Sequence, residues 1–334
     1  MPARSPRDML ITIYGGSGFL GRHLVRALAK RGYRIRNAVR RPDLAGHLQP
    51  LGRVGQIHSV QANLRDQASV ERAALGADVL INLVGILFER GKQHFGAVHA
   101  QGAERVAQAA RMHGVPLVHV SAIGADANST SAYARTKADG ETRVLAAVPS
   151  AAIMRPSVMF GPEDNFLNLF ASLAQMSPVL PLIGGGNTKF QPVFVGDVAQ
   201  AIAKAVDGKA RPGSVYELGG PEVLTFKEIL EYLLKVIGRK RLLLPLPFGM
   251  AKMQAAFLQY LPTPLLTPDQ VELLRTDNVV SAAAQPEGRT IESLGIDPET
   301  MEAIVPAYLW RFRKTGQFHT QPTGETPSGV QTQS

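Results

Sequence analysis

Ile11-Thr12-Ile13-Tyr14-Gly15-Gly16-Ser17-Gly18-Phe19-Leu20-Gly21 decides the fold. The first four residues are β-branched or aromatic and read as a strand. Glycines then fall at 15, 18 and 21, and also at 16, 18 and 21. Leu20, Leu24, Ala27 and Leu28 follow at i, i+4, i+7 and i+8, one face of a helix that Gly32 can end. A strand, a turn free of Cβ atoms and a helix N-terminus aimed at that turn form a cradle for a pyrophosphate. The residues that line it are Gly15, Ser17, Gly18, Phe19, Leu20 and Gly21.

Working outward, the same alternation continues to residue 156. Short apolar runs recur at Met9–Tyr14, Arg34–Val39, Ile57–Gln61, Val79–Val84, Leu117–Ser121 and Ala151–Met154, separated by helix-like stretches. Several are apolar almost throughout, as strands covered on both faces must be. Strand–helix–strand units of ~20–35 residues mean parallel pairing with right-handed crossovers. The fold class is therefore α/β, a doubly wound parallel-sheet Rossmann domain with a smaller C-terminal α/β lobe. Residues 8–156 plus about 190–207 are assigned to the NAD(P)-binding domain. About 157–189 and 208–315 are assigned to the smaller substrate or partner lobe, and 316–334 to a disordered tail. Capping boxes at Thr225/Glu228 and Thr267/Gln270 start helices in the second lobe, and Asp197 is placed as the cap of a helix through Val206.

The second run ends at Val39. An NAD(H) site puts a carboxylate near this point, but this chain has Arg40 and Arg41. Two guanidiniums suit a 2′-phosphate, so NADP(H) is preferred over NAD(H). Tyr133 and Lys137 stand one helical turn apart after the fifth run, and Ser121 ends that run. A lysine ammonium favours an ionised tyrosine, and a serine hydroxyl can hold a substrate carbonyl, so Ser121, Tyr133 and Lys137 are the candidate catalytic set.

With the later Arg155-Pro156-Ser157-Val158-Met159-Phe160-Gly161-Pro162, these motifs make the chain similar to extended or atypical short-chain dehydrogenase/reductases. It resembles one branch in particular, the nucleotide-binding accessory subunit of respiratory complex I (alpha-subcomplex subunit nine type) and its bacterial relatives. Carrying that likeness are Gln61-Ala62-Asn63-Leu64-Arg65-Asp66, Asn82-Leu83-Val84-Gly85, Gln191-Pro192-Val193, Val195-Gly196-Asp197-Val198-Ala199 and Tyr216-Glu217-Leu218-Gly219-Gly220-Pro221. It covers about residues 8–315. The resemblance implies that Asn63 and Leu64 bracket adenine, that Val84 and Pro156 line the cofactor, and that Lys137 also holds the ribose. It further implies tightly held NADPH with no need of turnover. Respiratory-chain or quinone-biosynthesis proteins are the implied partners. The implied place is cytoplasmic, peripheral on the inner face of the inner membrane. The full Ser121/Tyr133/Lys137 set keeps a second reading open, a working oxidoreductase, epimerase or dehydratase. A redox-sensing regulator is a third.

Composition bounds these readings. The chain has 334 residues, 45% apolar and 19% charged, enough for a substantial core. It has no cysteine, which removes thiol catalysis and Cys-based metal sites, and its histidines show no metal-ligand spacing. Residues 1–150 hold 20 Lys+Arg against 10 Asp+Glu, the rest 16 against 17, so the basic surplus of the +9 chain lies in the nucleotide-binding half. No run of five or six basic residues occurs, so nucleic acid is not an expected partner. Arg239-Lys240-Arg241 precedes an apolar segment through Leu266 with Met250, Met253, Phe257 and Leu261 at near-helical spacing. Residues 239–266 read either as a membrane or partner surface or as the core of the small lobe. Gly184-Gly185-Gly186 reads as a loop, and Trp310 as a core anchor.

Overall fold

The computed structural model describes residues 5–261, 264–314 and 316. The assigned tail, 316–334, lies outside the described residues apart from Gly316. Thirteen strands are described: β1 (Leu10–Tyr14), β2 (Arg34–Val39), β3 (Ile57–Gln61), β4 (Val79–Asn82), β5 (Leu117–Val120), β6 (Ala152–Pro156), β7 (Met159–Phe160), β8 (Val179–Ile183), β9 (Lys189–Phe190), β10 (Val193–Phe194), β11 (Val215–Leu218), β12 (Leu224–Thr225) and β13 (Leu242–Leu246). Seven form one parallel sheet in the order β11-β6-β5-β4-β1-β2-β3. The order reverses at β1, which pairs with β2 on one side and β4 on the other. That reversal opens the crevice where ligands bind in doubly wound sheets.

Strand β1 shows why the sheet must be covered twice. Ile11 and Ile13 enter the layer containing α1 (Phe19–Lys30). Tyr14 enters the opposite layer, with α2 (Gln67–Ala74), α3 (Gln101–His113) and α4 (Ala132–Ala147). The hydroxyls of Thr12 and Tyr14 donate to the carbonyls of Ala73 and Val70, so neither buried polar atom is orphaned.

After β6 come α5 (Leu167–Met176), α6 (Val195–Val206), α7 (Phe226–Val236), α8 (Phe248–Leu258), α9 (Pro268–Leu273), α10 (Met301–Ile304) and α11 (Pro306–Leu309). Of these, α6 returns to pack on α1. Both capping boxes are formed, at the starts of α7 and α9.

Three placements differ from the sequence reading. First, residues 215–218 are the seventh strand of the main sheet, and Ile291 and Leu294 lie in its core. The assigned boundary at 208 misses them because this pairing spans a long crossover and β11 is only four residues long. Second, Asp197 is not the cap of α6: that helix starts at Val195, and the Asp197 carboxylate instead accepts from the Glu299 N–H at 2.8 Å. Third, Trp310 is 38% exposed and anchors no core.

Gly184, Gly185 and Gly186 form a tight turn with φ of 64°, 75° and 74°. The second-lobe core is built from Phe160, Leu180, Phe226, Leu230 and Leu233. The 239–266 segment contributes little to it. Leu242, Met250, Met253 and Phe257 are exposed, Phe257 to 75%, whereas Leu246, Ala251 and Ala255 are buried in a small cluster with Val271, so the stretch is surface on one side and core on the other. Among the described residues no helix is long and apolar enough to cross a membrane.

Candidate functional site

Apart from Tyr133 and Lys137, which α4 carries, the site residues named from sequence fall along the carboxyl edge of the main sheet. The glycine turn follows β1, Arg40 and Arg41 follow β2, Asn63 and Leu64 follow β3, Val84 follows β4, Ser121 follows β5, and Pro156 ends β6.

The glycine turn is tight for distinct reasons at each position. Gly15 has φ 88°, and a Cβ there would sit 3.0 Å from Val84 Cγ2. A Cβ on Gly16 would collide with the buried side chain of Asn37, and one on Gly21 would lie 2.5 Å from the Gly16 backbone. Gly18 differs: it is the exposed N-cap of α1 with φ −76°, and a Cβ there meets only the Gly15 carbonyl at 3.4 Å, an ordinary contact. Nothing within the chain demands glycine at 18. The α1 N-terminus also has no side-chain cap. An open approach over uncapped N–H groups fits a pyrophosphate.

The flanks of the cradle are mixed. Arg41 is engaged by Asp43, Nη2 to Oδ2 at 2.7 Å and Nε to both oxygens, which ties up one of the two guanidiniums assigned to a 2′-phosphate. Asn63 Oδ1 accepts from the Arg65 N–H, which fixes the turn after β3. Leu64 is buried against Gly102 and serves as a wall. Val84 donates its N–H to Asn82 Oδ1 at 3.1 Å and packs on Gly15.

Helix α4 crosses the end of β5, where Lys137 reaches the carbonyl of Val120, the residue before Ser121. Lys137 is buried, its Nζ 5.9 Å from the Tyr133 ring centroid and 3.3 Å from the Val120 carbonyl. Burial lowers its pKa to about 8. The Tyr133 phenol is pushed up to about 12, first by burial and then by the Asp269 carboxylate. The lowered phenol pKa expected from a neighbouring ammonium is therefore not what the chain's own groups produce. Ser121 Oγ is buried and has no hydrogen-bond partner among the described residues.

Sequence reasoning gave no site role to five residues here. Phe95 and His99 come from a π-turn (Gly96–Ala100) and its approach, a distortion frequent at functional sites. Their rings stack at 5.3 Å, and both meet Tyr133 edge-on. His99 Nε2 accepts from the Ile86 N–H at 3.0 Å, so Nδ1 carries the proton and faces Thr136 Oγ1. Asn82 spends its oxygen on Val84, so its amide donates to His119 Nδ1 and leaves the proton on Nε2. That buried Nε2–H has no acceptor among the described residues. Burial lowers His99 to about 2 and His119 to about 3, so both stay neutral. The fifth is Asp269 of α9, which bonds the start of α4. A histidine inside the apolar run Leu117–Ser121 was the one visible signal; the other contacts are long-range.

Residues 11–219 match the model of the NAD dependent epimerase/dehydratase family. The chain belongs to this family. It is also similar to the NADH dehydrogenase [ubiquinone] 1 alpha subcomplex subunit 9 of Arabidopsis thaliana mitochondria, 37% identical over 93% of this chain and 80% of that protein. A ceramide reductase of Caulobacter vibrioides is 36% identical over 84% of this chain and 88% of its own. Among solved structures, an Escherichia coli NADPH-dependent quinone oxidoreductase complexed with NADPH superposes with a TM-score of 0.70 at 23% identity, over 90% and 99% of the two chains. That likeness establishes the shared fold. The epimerase/dehydratase assignment accords with the seven-stranded parallel sheet and the NAD(P)-binding glycine turn.

Proposed function

We propose that this family member holds NADP(H) in the β1/β4 crevice and acts as a peripheral accessory protein of the respiratory chain, with the nucleotide chiefly stabilising its fold. The observation that carries the accessory role is the surface of α8. Met250, Met253 and Phe257 of α8 are exposed, and the same lobe carries Arg239, Lys240 and Arg241 along a cleft of its own. An exposed apolar helix face on a lobe that also carries basic side chains suits a membrane surface or a partner subunit. The likeness to complex I subunits supports a respiratory-chain partner, and a peripheral place on the inner face of the inner membrane follows from the same reading.

The residues present fit the nucleotide. The glycine turn and the α1 N-terminus would take the pyrophosphate, Arg40 and Arg41 a 2′-phosphate, Asn63 the adenine edge, and Lys137 the ribose hydroxyls. When bound, the nucleotide supplies a hydride donor or acceptor. Ser121 Oγ can hydrogen-bond a carbonyl oxygen, Tyr133 Oη can give or take the proton there, and Lys137 can hold the ribose while its charge opposes further protonation nearby.

A second reading, reduction of an amphiphilic carbonyl compound, is favoured by one feature. A cleft of about 340 Å³ lined by Phe88, Phe95, Lys252, Pro268 and Asp269 opens beside α8, and its Phe95 ring meets the Tyr133 ring edge-on. The ceramide reductase similarity points the same way.

Native mass spectrometry of the purified protein, with release and identification of its nucleotide, tests the proposal. One NADP(H) per chain is the expected result. Release of NAD(H), or no nucleotide binding on addition of NADPH, overturns it.

A further inference from the structure

The helix that carries Tyr133 and Lys137 does not secure its own first turn alone. Ser131, its N-cap, accepts from the Ala134 N–H at 3.2 Å. The remaining donors go to a residue far downstream. Asp269 Oδ1 accepts from the Ala132 N–H at 2.7 Å, while Oδ2 accepts from Ser131 Oγ at 2.8 Å and from the Tyr133 N–H at 3.2 Å. Both carboxylate oxygens are thus spent on α4.

An aspartate in the first turn of a helix ordinarily serves that helix. Here α9 has its own capping box, Thr267 with Gln270, so the Asp269 side chain is released to reach across the lobes. Helix α9 is fixed to α8 in turn. Val271 packs with Ala251 and Ala255, Glu272 pairs with Lys252 at 2.8 Å and with Arg275 at 3.0 Å, and Arg275 lies over the Phe248 ring. The two helices form one unit, with the exposed apolar face on its outside and Asp269 on its inside.

We propose that Asp269 is a positioning residue for Tyr133, a second-lobe carboxylate that seats the first turn of α4 and so transmits the placement of the α8–α9 unit to the phenol. The contact is direct at the Tyr133 backbone, and the carboxylate's charge lies beside the ring it positions. The other titratable groups around Tyr133 are Lys137 on α4 itself, neutral His99 on the π-turn, and Glu89, Lys252 and Glu272 around the adjoining cleft. Of these acids, Glu272 is held by Lys252 and Arg275, and Glu89 accepts from the Phe95 N–H. Asp269 alone among them bonds α4. The inference relies on the proposed site only in taking Tyr133 as its phenol. It needs neither turnover nor nucleotide.

The test is a pH titration of the full chain carrying tyrosine labelled with ¹³C at Cζ, with Tyr133→Phe assigning the Tyr133 signal. Amide exchange at Ala132 and Tyr133 is read on the same samples. In Asp269→Asn the Tyr133 phenol is expected to titrate at lower pH than in the unmutated protein, because a neighbouring negative charge is gone. Exchange at Ala132 should accelerate about tenfold or more as its acceptor weakens. Glu272→Gln removes a carboxylate from the same helix that does not touch α4, and should leave the Tyr133 titration in place. A carboxylate that merely glued the lobes together would lower the melting temperature without moving the phenol. If Asp269→Asn fails to fold, Asp269→Glu keeps the charge but displaces it by one methylene, and the same amide protons should exchange faster. An unmoved Tyr133 titration in folded Asp269→Asn, an equal shift in Glu272→Gln, or unchanged exchange in Asp269→Glu overturns the proposal. Because nucleotide release is measured separately, either conclusion can fail without the other.

Discussion

Arg41 and Asp43 form a forked ion pair at the end of β2, with Nη2 2.7 Å from Oδ2 and Nε 3.0 Å from Oδ1. The pair stands where the nucleotide's 2′ position is assigned, so Asp43 competes with a 2′-phosphate for the guanidinium. The double change Arg40→Ala with Arg41→Ala should weaken NADP(H) binding by about tenfold or more and leave NAD(H) nearly untouched. Asp43→Asn should do the reverse and tighten NADP(H) by on the order of tenfold, by freeing Arg41 and removing a like charge. Calorimetric titration of both nucleotides decides it; equal affinities in the unmutated protein remove the basis of the preference.

Gly18→Val is a clean probe of the cradle, because the fold itself leaves room there for a side chain. The variant should fold but lose the thermal shift that NADPH gives. Ligand at a hundred times its Kd contributes about 2.7 kcal/mol by mass action. A melting shift equal to that of the unmutated chain would place the site elsewhere.

Tyr133→Phe and Lys137→Met separate accessory from catalytic roles. The phenylalanine change should retain nucleotide binding and be silent in a cellular complementation assay, whereas Gly18→Val should not be silent. Lys137→Met should lose nucleotide affinity. A defect from Tyr133→Phe as severe as that of Gly18→Val, with nucleotide still bound, favours the catalytic reading, for which loss of a general acid or base costs ~10²–10⁴-fold in rate.

Arg155 bonds Glu141 through two nitrogens, at 2.8 and 2.6 Å, and lies 3.8 Å from Glu217. Both carboxylates are buried. Arg155→Ala should destabilise the protein by about 3–5 kcal/mol, since it leaves buried charge uncompensated. Urea unfolding measures this. A loss under 1 kcal/mol would mean that water replaces the guanidinium.

The pH dependence has opposing contributions. His99 and His119, lowered to about 2 and about 3, bind protons better in the unfolded chain, so they cost stability as pH falls below 6.5. Asp197, raised to about 6 by burial, binds its proton better in the folded chain, so its share of stability grows as pH falls through 6. Buried Asp164, also raised, acts in the same direction as Asp197. At ~1.4 kcal/mol per unit per group, two imidazoles that stay neutral far below their ordinary range outweigh the carboxyls that take up protons more readily in the folded chain. The melting temperature should therefore fall on acidification. Asp197→Asn should make that fall steeper. A rise in melting temperature from pH 7.5 to 5 contradicts the imidazole assignment.

The first six strands and the glycine turn could be read from sequence because continuous apolar runs and Cβ-free turns are local signals. Strand β11 could not, since Tyr216 and Leu218 alternate with Glu217 in a segment too short to declare itself. The hydrogen bonds of His99, His119 and Asp269 join residues 13 to 138 positions apart, and no spacing rule encodes them. The 239–266 segment shows a different limit. Periodicity marks which residues share a helix face, but it does not say whether another element covers that face, and over Phe257 none does.

The late position of β11 shapes how the protein is made. Strands β1 to β6 are complete once residue 156 has left the ribosome, but the neighbour of β6 arrives only at residue 215. At ~5–20 residues per second the nascent chain passes several seconds with the β6 edge unpaired and Glu217 not yet beside Arg155. An unpaired parallel edge is a template for other chains. Translation pauses between codons 156 and 215 should therefore lower soluble yield, while pauses after residue 218 should not.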